Sequence, residues 1–373
     1  MLRKFTVSNY KNFNHTITLD FSNKRDYIFN ENCIKNDLLN KVIIFGKNAS
    51  GKSNLGFAVF DIVQTLTDKN VSRNQMDAAT FLNADSQETE ASFLYEFEFD
   101  GKSVVYFYKK EDPSTITAER LCIDQSVIFD YDRDQGVKEE NLHLVSAENL
   151  NFNYKQNDIA LLRYIVNNTQ QSSDSCLRKL MDFVNHMLWF RSLRDRQYIG
   201  FSKGSETITD YICKQGYLKD FEQFLIKMAG IKCTLEEYMD ELTNSRRILE
   251  VHEHRRLDLV KSCSSGTGAL LLFYYWSKHL EEVSFLWIDE FDAFYHFDLA
   301  RNIVVYLRDS NQVQTVFTSH NTALLSNEIL RPDCYFRLEN GKLSSFSDAT
   351  FRELREGHNL EKLYRNGEFN GEE

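Results

Sequence analysis

Val42-Ile43-Ile44-Phe45-Gly46-Lys47-Asn48-Ala49-Ser50-Gly51-Lys52-Ser53 is the stretch on which the fold turns. Four apolar residues predict a buried strand, and the next eight read G-x-x-x-x-G-K-S, a phosphate-binding loop opening a helix. Each residue type has a physical reason. The glycines let the backbone curl until several N–H groups face one anion, and the helix that follows adds the positive end of its dipole. Lys52 is placed to reach the β- and γ-phosphates of a nucleotide, and the Ser53 hydroxyl to ligand Mg²⁺. Gly46, Lys47, Asn48, Ala49, Ser50, Gly51, Lys52, Ser53 and the adjoining Asn54 are therefore the candidate nucleotide-binding set, with ATP and Mg²⁺ as the expected cofactors.

Further along the chain, Phe285-Leu286-Trp287-Ile288-Asp289-Glu290 is an apolar run ending in two carboxylates. A parallel strand of this kind delivers its last residues to the sheet's carboxyl edge, where ligands bind. Asp289 is the second candidate metal ligand and Glu290 the candidate general base for an attacking water. Either residue alone is commonplace in α/β proteins; the phosphate loop upstream gives the pair its meaning. Val316-Phe317-Thr318-Ser319-His320 is another apolar strand, ending in a histidine that joins Glu290 as a candidate catalytic residue. Ser264-Ser265-Gly266-Thr267 stands at a predicted helix start shortly before the Asp-Glu strand. In physical terms it is either an ordinary N-cap or a second anion site. His252-Glu253-His254 lacks a third ligand at metal spacing and reads as a solvated strand end.

The whole chain sets wider bounds. Its 373 residues, 42% hydrophobic, could hold two or three average domains or one large α/β domain carrying an insertion. A net charge of −11 argues against a protein that coats duplex nucleic acid, although a local basic groove is compatible with it. Seven scattered cysteines without a C-x-x-C pair fit reduced thiols, and no apolar run reaches membrane-spanning length, so a cytoplasmic location without a membrane partner is expected. Leu2–Asn9 and Thr16–Phe21 predict a hairpin, Ser53–Leu66 a helix, and Ala91–Phe99 with Val104–Tyr108 a second hairpin closed by Asp100-Gly101. Thr117–Ile123 and Val127–Tyr131 continue that antiparallel section. Leu177, Leu180, Met181, Val184, Met187 and Leu188 recur at helical spacing, as do Leu218, Phe221, Phe224, Leu225 and Met228. The expected division is thus one ATPase head made of residues 1–156 and 251–373, with a mainly helical insertion at 157–250. Arg191, Arg194 and Arg196 form a basic cluster within the insertion, readable as a solvated helix end or as a contact for phosphates or an acidic partner.

In order, Asn9-Tyr10-Lys11-Asn12-Phe13, GKNASGKS, SSGT, FLWIDEFD and FTSH resemble the SMC/RecF/OLD branch of ABC-type ATPases. The likeness is greatest to the compact AAA-type ATPases of bacterial abortive-infection and phage-defence operons, and it extends to "FLNADSQETEASFLYEFEFDGKSVVYFYKK" and "NLEKLYRNGEF". This resemblance implies an α/β fold: an ABC-type head with a mixed sheet and an antiparallel β subdomain. It also implies a homodimer, or a larger assembly built on one, with two ATP molecules at its seam. Lys52, Ser53, Asp289, Glu290 and His320 would act from one subunit, and Ser264, Ser265 and Gly266 from the other. Asp292–His296 would line the seam, and Tyr10–Phe13 the adenine or ribose. Gln64, Gln75 and Gln87 compete for the Q-loop position. Residues 321–373 are too few for the Toprim domain of OLD nucleases, and the long coiled coils of SMC proteins are missing. The implied role is an ATPase that senses or regulates in anti-phage defence, controlling a separately encoded nuclease or toxin. A DNA-repair ATPase with DNA as partner, and an ATP-gated scaffold with little turnover, are the alternatives.

Overall fold

The structure is a computed structural model, which describes residues 1–69, 77–139, 141–150, 159–191, 198–202, 206–242, 244–310 and 312–369. Two seven-stranded sheets carry the architecture. In the first, Met187–Arg191, Phe285–Asp289, Gln314–Ser319, Lys41–Phe45 and Tyr335–Glu339 lie side by side in that order, all parallel. Tyr198–Gly200 and Lys342–Ser345 close its two edges antiparallel. Every residue of the Lys41–Phe45, Phe285–Asp289 and Gln314–Ser319 strands is buried, as expected of a parallel sheet covered on both faces. The helices Lys52–Val59, Ser265–Ser277 and Phe297–Ser310 belong to this layer. The expected α/β fold, a mixed sheet beside an antiparallel β subdomain, is what the chain forms.

The second sheet is wholly antiparallel, in the order Gly136–Glu139, Ser126–Asp132, Ile116–Ile123, Lys102–Lys110, Ala91–Phe99, Leu2–Ser8, Ile17–Asp20. Its strands alternate. Ala91, Phe93, Tyr95 and Phe97 point inward along one strand, and Val104, Tyr106, Tyr108 and Lys110 along the next. The inward rings of Phe93 and Tyr108 stack with centroids 5.0 Å apart. This face docks on the helix pair after the phosphate loop, Lys52–Val59 and Asp61–Leu66. Tyr95 donates its hydroxyl to Ala58 O at 2.9 Å, and Tyr108 to Asp61 Oδ1 at 2.8 Å.

The same Asp61 oxygen accepts from Lys110 Nζ at 2.7 Å, and both side chains are at most 2% exposed. Removing one member of a buried ion pair leaves the other charged without a partner, so Lys110→Ala is expected to cost about 3–5 kcal/mol of stability. A loss under about 1 kcal/mol in urea unfolding would show that water reaches Asp61 and that the joint is not dry.

Glu119 is the other buried carboxylate of this subdomain. It accepts from Leu161 N at 2.6 Å, Leu162 N at 2.7 Å and the Tyr106 hydroxyl at 2.9 Å, so it anchors the first turn of the Leu161–Asn168 helix. Burial pushes its carboxyl up to about 7, against the pull of those three donors. Because the folded value lies above the unfolded one, the folded state binds the extra proton. Stability contributed here is present below the ordinary carboxylate range and is lost as pH rises through 7. Urea unfolding at pH 5.5 and pH 8 should show a loss on the order of 1–3 kcal/mol that Glu119→Gln removes. An unchanged difference in the variant would assign the slope to other groups.

The stretch expected to be mainly helical differs from that expectation. It holds the helices Leu161–Asn168, Cys176–Asn185, Ile208–Lys214 and Leu218–Ala229, but also the strands Leu235–Asp240 and Ser245–Val251, which form a three-stranded sheet with Arg256–Asp258 just beyond the stretch. Met187 and Leu188, which continue the helical spacing, instead begin a strand inside the head's central sheet. Met187, Leu188, Trp189 and Phe190 are all buried, so this strand shows no alternation by which sequence could separate it from a buried helix end. The helix from Ser53 is likewise interrupted at Phe60, which leaves helical geometry between Val59 and Asp61. Among the described residues no helix is long and apolar enough to cross a membrane.

Candidate nucleotide site at the carboxyl edge of the parallel sheet

Three adjacent parallel strands end together at one edge, and the loops leaving them form the site. The phosphate loop leaves Phe45, Glu290 follows Asp289, and His320 follows Ser319. Two loop positions admit only glycine. A Cβ on Gly46 would stand 2.7 Å from Leu338 O, and Gly51 holds a φ of 102° with the Asn12 amide pressed against it. Ala49 also takes a left-handed φ of 62°, which helps to curl the loop.

Lys52 is buried within the curl. Its ammonium donates to Gly46 O at 2.8 Å and Lys47 O at 3.1 Å. His320 Nδ1 stands 2.7 Å from the same Gly46 oxygen. A carbonyl can only accept, so Nδ1 carries the proton and Nε2 is left facing Glu290 Oε1 at 3.9 Å. The 3.2 Å between Lys52 Nζ and His320 Nδ1 is then two donors crowding one acceptor. Burial lowers the Lys52 ammonium, and the charges of Asp289, Glu290 and Asp292 oppose that shift.

Ser53 donates to Asp289 Oδ2 at 2.7 Å, and Thr318 to Asp289 Oδ1 at 2.8 Å. Burial raises the Asp289 carboxyl; the two hydroxyls and Arg191 pull it back. Ser53 and Asp289 present hard oxygen donors to one spot, a set that suits Mg²⁺. Glu290 adopts a left-handed φ of 47°, with its N–H donating to Thr318 Oγ1 at 2.7 Å. Ser319 donates to Asp292 Oδ2 at 2.7 Å, which fixes the segment after the Asp-Glu pair.

Lys52, Ser53, Asp289, Glu290 and His320 are thus gathered in one place. Gly46, Lys47, Ser50 and Asn54 belong to the same rim: Lys47 pairs with Glu339 at 3.5 Å, and Asn54 donates to Asn12, whose amide donates to Ser50 O at 3.3 Å. Asn48 and Ala49 form the turn of the loop. Beside it opens a pocket of about 570 Å³, lined in part by Lys11, Asn12, Asn54, Phe57 and Asn83. A larger cleft of about 680 Å³ lies at the opposite ends of the strands, against Met1, Asn40, Ser284 and Gln314, and shares no residue with the loop.

Ser264, Ser265 and Gly266 stand apart from this group. Ser264 caps its own helix, accepting from Thr267 N at 3.2 Å, and Ser264 and Ser265 are exposed. The neighbour of Gly266 is Phe294 O, 3.1 Å from where a Cβ would sit. Gln64 is turned away, donating to Pro113 O at 2.9 Å, Gln87 is exposed, and Gln75 lies outside the described residues. Tyr10 is buried in the antiparallel subdomain against Phe81 and Phe93, which leaves Lys11 and Asn12 to face the pocket.

The functional neighbour that sequence reasoning misplaced is Arg191. It is neither a solvated helix end nor directed at an outside partner: its Nη2 donates to Glu290 Oε2 at 2.6 Å. Arg194 and Arg196 lie outside the described residues. Thr318 and Ser319, which bond Asp289 and Asp292, were legible only as the tail of an apolar strand.

No curated protein matches this chain. Among solved structures, an Smc head bound to the C-winged helix domain of ScpA aligns over 92% of this chain and 97% of its own, with 14% identity and a TM-score of 0.47. The SMC head domain from Thermotoga maritima aligns over 92% and 97%, with 15% identity and a TM-score of 0.44. The Smc head from Pyrococcus furiosus with an extended coiled coil, bound to the C-terminal domain of ScpA, covers 93% and 97% at 12% identity and a TM-score of 0.44. Residues 41–326 match the family described as "AAA domain, putative AbiEii toxin, Type IV TA system", a span that runs from the phosphate-loop strand to just beyond His320. The chain belongs to this family of AAA domains.

Proposed function

We propose that this chain is an ATPase whose site is completed by a second copy of itself, and that closing and opening of the dimer controls a separately encoded toxin or nuclease in bacterial anti-phage defence. The observation that carries the ATPase reading is the convergence of Lys52, Ser53, Asp289, Glu290 and His320 at the ends of three adjacent parallel strands. In this reading the loop N–H groups and Lys52 bind the phosphates, and Lys11, Asn12 and Asn54 border the nucleoside. Ser53 and Asp289 hold Mg²⁺, which when bound draws charge off the phosphate oxygens. Glu290 takes the proton of the attacking water, and His320, held through Nδ1–H by Gly46 O, offers the lone pair of Nε2 as an acceptor that helps to orient the same water.

Support for the shared site comes from the exposed Ser264 and Ser265 at a helix start, with Phe294 beside Gly266, and from the exposed rings of Phe294 and Phe297, which offer polar and apolar surface to a partner. The family, whose name includes an AbiEii toxin and a type IV TA system, supports the defence context. A cytoplasmic location belongs to the same proposal. Phosphate release measured with Mg-ATP over a range of protein concentrations tests the core of it. A site built from two subunits gives a specific activity that climbs with concentration until dimers saturate. Specific activity that stays constant down to the lowest concentration assayed, with the protein monomeric throughout, would overturn the shared site.

A further inference from the structure

Arg191 reaches Glu290 in a way that treats its two carboxylate oxygens differently. The Met187–Arg191 strand pairs in parallel with Phe285–Asp289, which sets Arg191 level with Asp289. From there the guanidinium directs Nη2 at 2.6 Å and Nε at 3.2 Å onto one oxygen, Glu290 Oε2, while Nε stands 3.7 Å from Asp289 Oδ2. The other oxygen, Oε1, faces His320. A general base needs one oxygen aimed at the proton it takes and a carboxylate that does not rotate away.

The backbone makes such a tether useful. Glu290 sits in the left-handed region, where a side chain with a Cβ is strained and persists only if its surroundings hold it. Its N–H is held by Thr318, so the main chain is fixed; the side chain is held by Arg191. A lysine could supply the charge at this place but not two donors from one rigid plane. The Arg191 side chain is 30% exposed, so the pair is reachable by solvent and not a structural pair sealed in the core.

We propose that Arg191 is a positioning residue for hydrolysis, locking Glu290 Oε2 so that Oε1 is presented to the attacking water. This rests on the reading of Glu290 as general base. The test compares wild type, Arg191→Gln, Arg191→Lys, Glu290→Gln and the Arg191→Gln/Glu290→Gln double variant, following phosphate release against Mg-ATP and binding of a fluorescent ATP analogue. Arg191→Gln is expected to lower kcat by about a hundredfold with KM and analogue binding within about threefold of wild type, and Arg191→Lys to recover part of the loss. In the Glu290→Gln background the Arg191→Gln change should have no further effect, because a residue acting through the base has nothing left to position. An unchanged kcat in Arg191→Gln beside an inactive Glu290→Gln overturns the positioning role alone, as does an equal loss in both backgrounds. Wild-type turnover in Glu290→Gln overturns the general-base reading itself. Should Arg191→Gln fail to fold, Arg191→Lys decides: a fall in kcat at constant KM supports the role, and wild-type kcat overturns it.

Discussion

Lys52→Ala is expected to lose ATP binding by at least about a hundredfold, and with it both turnover and ATP-dependent association. The ammonium lies inside the curl of the loop, held by Gly46 O and Lys47 O with the acidic residues Asp289, Glu290 and Asp292 nearby. Without it, incoming phosphates would approach the carboxylates of Asp289, Glu290 and Asp292 without the loop lysine's charge to offset them. The side chain bonds to the loop's own carbonyls, so the variant should keep its unfolding midpoint to within a few degrees. Titration with a fluorescent ATP analogue and sedimentation with and without Mg-ATP check the two halves separately. A variant that still associates on ATP would show that the dimer does not close around phosphates, and the shared-site proposal would fall.

Glu290→Gln should behave in the opposite sense. Gln is isosteric, and its carbonyl oxygen can still accept from Arg191, so the local geometry is kept while the proton acceptor is lost. Turnover is expected to fall by about 10²–10⁴, the usual worth of a general base, with nucleotide affinity retained. Binding that closes the dimer would then no longer be undone by hydrolysis, so an ATP-bound dimer should accumulate and be visible by size-exclusion chromatography. Turnover within about threefold of wild type would remove Glu290 from the chemistry and leave the proton to another group.

These two variants are expected to separate binding from chemistry, and the residues they change were legible in the sequence as candidates. Gly46–Ser53 and the Asp289-Glu290 strand end are short contiguous motifs whose chemistry needs those residues side by side, so their spacing survives any change elsewhere in the chain. The antiparallel subdomain was legible for a related reason. Its strands are buried on one face, and Ala91–Phe99 alternates inward and outward residues at the period of a strand. Met187–Arg191 failed that test because it is buried on both faces, and four consecutive apolar residues after a helix carry no period to read. Reading its first residues as helix hid Arg191, whose contact with Glu290 exists only once that strand pairs with Phe285–Asp289.

The sequence by itself determined the chemistry on offer: a loop of the kind that can curl around phosphate, two carboxylates at a strand end and a histidine at another. It did so because local backbone geometry and residue type suffice to make a phosphate loop or a strand terminus. The tertiary structure decided which of these groups meet. Parallel pairing brings strands far apart in the chain into register, so that Arg191 bonds Glu290, Thr318 bonds Asp289 and Gly46 O is shared by Lys52 and His320. Such contacts depend on strand order in space, which no local pattern of residues encodes.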